Sequence, residues 1–285
     1  MKKFSLLSLI LCIPLLSGCG WTTMSVYADA DKYLIGNQVF ETNAKSIDVD
    51  WLSGTLTLVE DNTITGAKLE ETTSKLIDEE KVHSYYYAES GLLSVKYMAS
   101  GYTSKHFISD DKNLTLTYNP TEIYKINVNL TSGKFSADSL TPSDKLEVKM
   151  TSGDCNLNKV LTKETIIEET SGRINIKEIN SSKIQSKLTS GSLTIDKTDV
   201  GNFDLNQTSG DATIKFNSLT KGNIKATSGS ISATLPTDGG KVNFSKTTGS
   251  LKVHREYNVI NGQYVIGTGV ALLDINITSG NVNIY

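Results

Sequence analysis

Few side chains in this 285-residue chain have the type and spacing to do covalent chemistry. Its cysteines are Cys12, Cys19 and Cys155, and its histidines are His83, His106 and His254. A nucleophilic thiol needs a base within hydrogen-bond reach, and no spacing here suggests such a pair. Cys155 stands two residues after Gly153, as Ile174 does after Gly172 and Leu193 after Gly191, which predicts a small apolar core residue. Carboxylates are scattered, so neither the acid pair of a glycan hydrolase nor a metal site is expected. Only Asp154 and Asp211 directly follow a repeat glycine, unlike the calcium-binding nonapeptide repeat. Gly267-Thr268-Gly269 lacks the third glycine and the helix of a dinucleotide loop. The expectation is no catalytic residue, no metal and no cofactor.

One cysteine does stand where chemistry is expected. Lys2 and Lys3 precede an apolar stretch from Phe4 to Leu16, the charge-then-apolar order of an export signal, too short to span a bilayer stably. Ser17 and Gly18 then set small residues before Cys19, resembling the bacterial lipobox, in which the thiol is diacylated and the preceding peptide bond is cut. Residues 1–18 are therefore expected to be a lipoprotein signal peptide, with Cys19 the lipidated mature N-terminus. Cys12 would be discarded and Cys155 left alone, so no internal disulfide can form, and stability must come from core size or repetition. Losing Lys2 and Lys3 takes the formal charge from −3 to −5. A mildly acidic chain with dispersed charge gives no reason to expect nucleic-acid binding, and makes the lipid the membrane anchor.

The organising feature is a recurrent Thr-Ser-Gly. Its glycines are Gly133, Gly153, Gly172, Gly191, Gly210 and Gly229, followed by Gly249 in the variant Thr247-Thr248-Gly249, in steps of 19 or 20 residues. Gly280 closes a last copy, and Gly54 and Gly91 sit in looser ones. Apolar residues lie two and four places after each glycine, and usually five and seven before it, as with Leu146 and Val148 before Gly153 and Ile174 and Ile176 after Gly172. Alternation of period two on both sides of a glycine turn predicts two short strands per repeat, each with one face buried. Coils stacked in a parallel β-helix, or antiparallel hairpins in a sandwich or meander, could use such strands. Loops of a meander vary in length independently, whereas stacked coils must keep one circumference, so the constant step favours the parallel β-helix. A single coil cannot bury enough to fold alone, so neighbours must stabilise it and the ends need caps. The expected organisation is a tether at 19–40, degenerate β repeats forming a cap at 41–125, and regular β-helix repeats at 126–285. The strand pair at Tyr264 to Gly269 and Val270 to Ile277 is expected to fold over and close the far end.

The recurrent Thr-Ser-Gly with alternating aliphatics, the segment from Ile47 to Gly54 and the ending from Ile266 to Gly280 together resemble the "putative adhesin" family of degenerate β-strand repeats, a DUF4097-like domain of bacterial envelope proteins. The resemblance covers about residues 40 to 285. It implies a parallel β-helix at the cell surface and supplies no catalytic residues.

Two surfaces are candidates for recognition. Tyr85, Tyr86, Tyr87, Tyr97 and Tyr102, with Phe107, Tyr118 and Tyr124, would offer aromatic contact area to a sugar or protein, or would cover the open end of the first coil. Thr131, Thr151, Thr170, Thr189, Thr208, Thr227, Thr247 and Thr278 would align as a hydroxyl ladder, although turns alone favour such residues. The function expected is a lipid-anchored, non-catalytic, adhesin-like or scaffold module on the extracytoplasmic face, binding an envelope, glycan or protein ligand. The alternatives are an envelope-stress sensor or assembly partner of a membrane protein and, further off, a polysaccharide-cleaving β-helix enzyme.

Overall fold

The computed structural model describes residues 26–36, 38–73, 80–102 and 112–285; Cys19, His106 and Phe107 lie outside them. The chain is an all-β stack of parallel rungs, and each rung is conveniently named by its glycine. On the first face, Lys145 pairs in parallel with Lys125 and Met150 with Leu130. On the second, Phe135 pairs with Cys155 and Leu140 with Val160. Strand bonding then runs unbroken through corners and faces from Lys145 to Ala226. Neighbouring rungs of that run are tied side by side, as in Arg173 Nε to Asp154 Oδ1 at 2.9 Å and Lys183 Nζ to Glu164 Oε1 at 3.1 Å, each pair 19 residues apart. Parallel stacking, rather than the antiparallel alternative, is what the coordinates show.

The inward alternation is richer than two strands require. In the Gly153 rung the buried side chains are Leu146, Val148 and Met150 before the turn, Cys155 and Leu157 after it, and then Val160 and Thr162. The last pair forms a third inward stretch, repeated by Ile179 and Ser181 and by Thr198 and Val200. Ser181 of this seam satisfies the corner backbone, its Oγ bonded to the carbonyls of Lys163 and Lys183 at 3.1 and 2.9 Å. Cys155 is fully buried between Phe135 and Ile174, and burial raises its thiol pKa to about 12.

Glycine is required at the turns because backbones touch there. A Cβ on Gly153 would lie 2.1 Å from the carbonyl oxygen of Gly133, and one on Gly229 would lie 2.0 Å from that of Gly210. Gly133, Gly153, Gly210, Gly229, Gly249 and Gly280 also have φ between 100° and 117°, beyond the left-handed well that other residues visit. Gly172 and Gly191 differ: neither has positive φ, so close approach alone accounts for them, Gly172 against the Gly153 carbonyl at 2.4 Å. In two copies the serine of the tripeptide bonds the threonine carbonyl of an adjacent rung, Ser152 Oγ to Thr131 at 3.2 Å and Ser279 Oγ to Thr227 at 3.3 Å.

Rung order departs from chain order at both ends. Ser46–Trp51 lies between Leu92–Lys96 and Lys125–Leu130, so the Gly54 rung is second in the stack and the later Leu92–Lys96 and Lys112–Tyr118 rung is outermost. At the other end Ala271–Ile277 pairs in parallel with both Lys221–Ala226 and Gly239–Lys246, and Asn281–Ile284 with both Ser230–Thr234 and Ser250–Val253. The C-terminal rung is thus inserted between the two rungs that precede it in sequence. This corrects the expected closing flap. Only Gln263–Gly267, with Asn258–Ile260, forms an antiparallel edge at that end, while the segment from Ala271 is a full interior rung. Antiparallel strands also border the N-terminal end, where Ala67–Thr73 pairs with Lys112–Tyr118 and Tyr85–Glu89 with Leu92–Lys96. Leu34–Ile35 and Val39–Phe40, within the stretch expected as tether, join these edges. No helix among the described residues is long and apolar enough to cross a membrane.

The turn geometry yields a paired test. Gly153→Ala adds a methyl against a carbonyl at a φ of 107°, whereas at Gly91 the φ is 78° and nothing lies within 4 Å of the added carbon. Gly91→Ala should therefore cost about 1 kcal/mol by strain alone, and Gly153→Ala about 3 kcal/mol. Urea denaturation of the two variants beside the parent measures the gap; equal costs would show that rung-to-rung approach does not set the requirement.

Candidate functional site

The tyrosines divide between burial and surface. Tyr86 is buried and stacks on Phe40 with ring centres 4.1 Å apart, its hydroxyl accepting from Gln38 Nε2 at 2.9 Å. Tyr97 is buried edge-on to Trp51 at 4.8 Å and accepts from Ser53 Oγ. Tyr85 and Tyr87, on the opposite side of their strand from Tyr86, are half-buried, as is Tyr102 against the core. Tyr118 is buried with its hydroxyl on Glu60, and desolvation raises its pKa. Tyr124 is exposed and apart from them. Tyr87 instead joins Tyr33, which in turn meets Tyr27 at 4.7 Å, a cluster not singled out in the sequence. These rings close the N-terminal end of the stack. Lys112 completes that closure: fully buried, it donates to the carbonyls of Val82 and Tyr97, lies 3.5 Å from Glu71 and faces the Trp51 and Tyr97 rings. Burial lowers its pKa to about 8 although Glu71 pulls the other way.

The better candidate lies along the edge where first-face strands enter the Thr-Ser-Gly turns. Two cavities open there, of about 320 Å³ and about 570 Å³, and both are lined by Lys187, so they form one groove. Three columns of side chains build it, each contributing one residue per rung. Two places before the glycine stand the threonines, whose hydroxyls have no protein partner among the described residues. The threonine ladder is therefore a real wall, and Thr131, Thr151, Thr170 and Thr189 line one part of it while Thr208, Thr227, Thr247 and Thr278 line the other. Four places before the glycine run Asn129, Lys149, Glu168, Lys187, Asn206, Lys225 and Asn276.

Between these columns lies an inward one, three places before the glycine, that is mostly apolar: Trp51, Leu130, Met150, Leu188 and Ala226. It is interrupted three times, by Glu169, by Gln207 and, on the outermost rung, by the exposed Lys246. Gln207 is buried and donates Nε2 to the carbonyls of Gly210 at 2.5 Å and Ser228 at 3.3 Å, leaving Oε1 without a partner. Glu169 is only 3 % exposed, and neither carboxylate oxygen has a partner. Its carboxylate occupies the space above Gly191, where an added Cβ would meet Oε1 at 2.2 Å. The two turns without positive φ, at Gly172 and Gly191, are those of its own and the following rung. The signal for both residues was available in the sequence as polar letters in an otherwise aliphatic column.

Desolvation raises the Glu169 pKa to about 7. A carboxyl harder to ionise folded than unfolded removes stability as pH climbs from the ordinary carboxylate range through 7, and the loss is complete above that. Glu169→Gln keeps the shape and can donate as Gln207 does. It should exceed the parent by about 2 kcal/mol near pH 8 and match it near pH 4.5. Denaturant titrations at both pH values decide; a constant difference would mean that Glu169 does not titrate in this window.

The model of the Toastrack DUF4097 family matches residues 59–285. A solved structure of a "putative adhesin" from Parabacteroides distasonis is similar with a TM-score of 0.53, at 15 % identity over 89 % of this chain and 95 % of its own. A second "putative adhesin", from Bacteroides fragilis, gives 0.52 at 11 % identity, over 89 % and 96 %. At those identities the likeness concerns the fold. No curated protein matches the chain in sequence. With most of its length matched and the same stack of strands in view, the chain belongs to the Toastrack DUF4097 family.

Proposed function

We propose that this protein is a lipid-anchored binding module of the extracytoplasmic face, adhesin-like and non-catalytic, that holds an extended envelope, glycan or protein ligand in the groove beside the Thr-Ser-Gly turns. The observation that supports this most is the threonine wall: hydroxyls aligned along the stack, with no protein partner among the described residues. A regular array of donors and acceptors suits a ligand that is itself periodic. His83, held 3.0 Å from Glu71, and His254, stacked on Tyr285 at 4.3 Å, both stand outside the groove lining, and the Cys155 thiol is sealed in the core. These placements favour holding a ligand over transforming it. Anchoring would come from acylation of Cys19, with the membrane as partner through the lipid.

Two measurements test this reading. In cells, the parent chain should take up labelled palmitate and sediment with membranes, and Cys19→Ser should do neither; an unlabelled parent would remove the anchor. Purified chain screened against peptidoglycan, glycans and envelope proteins should show saturable binding. Thr208→Trp, which fills the groove from its exposed wall, should weaken that binding at least tenfold. Equal binding by both chains would put the ligand elsewhere.

A further inference from the structure

The two halves of the groove differ in charge. The smaller cavity is lined by Lys149 and Lys187 but also by Glu168 and Glu169, and Lys149 is already paired with Glu147 at 2.7 Å. No carboxylate lines the larger cavity, which carries Lys187, Lys225 and Lys246 together with amides and hydroxyls. Lys187 and Lys225 are exposed and have no ion-pair partner among the described residues, and Lys246 makes only a bond to the Gly249 carbonyl at 2.7 Å.

We propose that this half of the groove binds an anionic polysaccharide carrying one acid group per two sugars, with Lys187, Lys225 and Lys246 on successive acid groups. The proposal rests on the groove being the ligand site and adds the ligand's class. Its basis is the spacing. Lys187 and Lys225 lie two rungs apart, with Asn206 on the rung between them. Insertion of the Gly280 rung puts Asn276 next to Lys225 and moves Lys246 to the second rung beyond, because Ser245 and Lys246 pair with Asn276 and Ile277. Counted by rung, lysines therefore recur about every 9.6 Å, twice the strand separation, with a neutral amide halfway, Lys246 rising from the column three places before its glycine rather than four. An extended sugar chain that alternates acidic and neutral rings repeats on this scale. Nucleic-acid phosphates follow one another more closely and would miss alternate rungs.

An acidic peptide matches the groove less well. Extended peptides gain affinity by backbone pairing at a free strand edge, and the rungs carrying Lys187, Asn206, Lys225 and Asn276 have strands on both sides, which leaves only Ser245 to Thr247 of the outermost rung with an open edge.

The test uses the full chain with three probes: a hyaluronan octasaccharide, neutral chitohexaose and poly-L-glutamate, followed by calorimetry at low and moderate salt. The octasaccharide should bind, more weakly as salt rises, and chitohexaose at least tenfold less tightly. Combined Lys187→Gln, Lys225→Gln and Lys246→Gln should reduce octasaccharide affinity tenfold or more, while Lys177→Gln, outside the groove, should leave it unchanged. Equal affinity for the two sugars, lysine-dependent preference for poly-L-glutamate, or no octasaccharide binding would each overturn the proposal. A sugar whose binding Thr208→Trp blocks but the triple lysine variant does not would overturn it and leave the groove as the site. Insensitivity to both would remove the groove as well.

Discussion

The structure depends on how closely two backbones approach at each turn. Gly91 sits in the antiparallel turn between Glu89 and Leu92, but each glycine that turns a parallel rung, Gly191 excepted, presents its missing Cβ to the backbone of the rung on its N-terminal side in space: Gly249 to Gly280, Gly280 to Gly229, Gly133 to Gly54, and Gly54 to the carbonyl of Lys112. A side chain there would push the rungs apart and break the ladder on both faces. The same rule explains the exception at the end. The rung containing Lys112 has no parallel rung beyond it, so its turn position needs no glycine, and a lysine can occupy it with its stem turned inward over Trp51 and Tyr97. What reads in sequence as a lost repeat is what an end rung is free to accept.

Stacks of this kind are weakest at their ends, where a rung has only one neighbour. Here neither outermost rung in space belongs to a chain end. The C-terminal strand is bonded on both sides almost to its last residue, with Tyr285 N on the carbonyl of Ala233 at 3.0 Å, its own carbonyl taking Leu235 N at 2.9 Å, and His254 N on Ile284 at 2.8 Å. The described part of the N-terminal region is held likewise, the Gly54 rung having neighbours on both faces. Fraying must then begin in a rung closed by chain on both sides rather than at a loose terminus. That raises its entropic threshold and shifts contacts toward long sequence separation, which slows folding.

Much of this was legible from glycine spacing and alternation, because both are local. The inward residues Leu146, Val148, Cys155 and Leu157 follow from counting by twos, and the 19-residue step carried the parallel stacking. Rung order could not be read that way: the aliphatic pattern of Ala271 to Ile277 is the same whether that strand lies outside or inside its predecessor. The 31-residue gap between Gly249 and Gly280 was the trace of the insertion, since a chain that passes over a rung needs a longer connection, here the strands through Gly267. The third inward stretch was hidden for a different reason. Thr162, Ser181 and Thr198 are polar in type and buried in place, the hydroxyls of Thr162 and Ser181 bonding backbone carbonyls at a closing corner that hydrophobic pattern does not mark.

Of the candidate sites, the threonine ladder was visible in sequence but its availability was not, because that rests on which hydroxyls find a protein partner among the described residues. The tyrosines were equally visible, but the strand period sends Tyr86 inward and Tyr85 and Tyr87 outward, so adjacency in sequence did not make a surface. Repetition explains why the groove can be both regular and particular. Glycine, serine and the two flanking aliphatic pairs are fixed by stacking, and the column four places before each glycine faces water and is not. Its Lys, Glu and Asn are therefore free to vary rung by rung, and the inserted C-terminal rung reorders them in space relative to the chain. In such a stack, the positions that packing leaves undetermined are the ones where recognition can be written without cost to the fold.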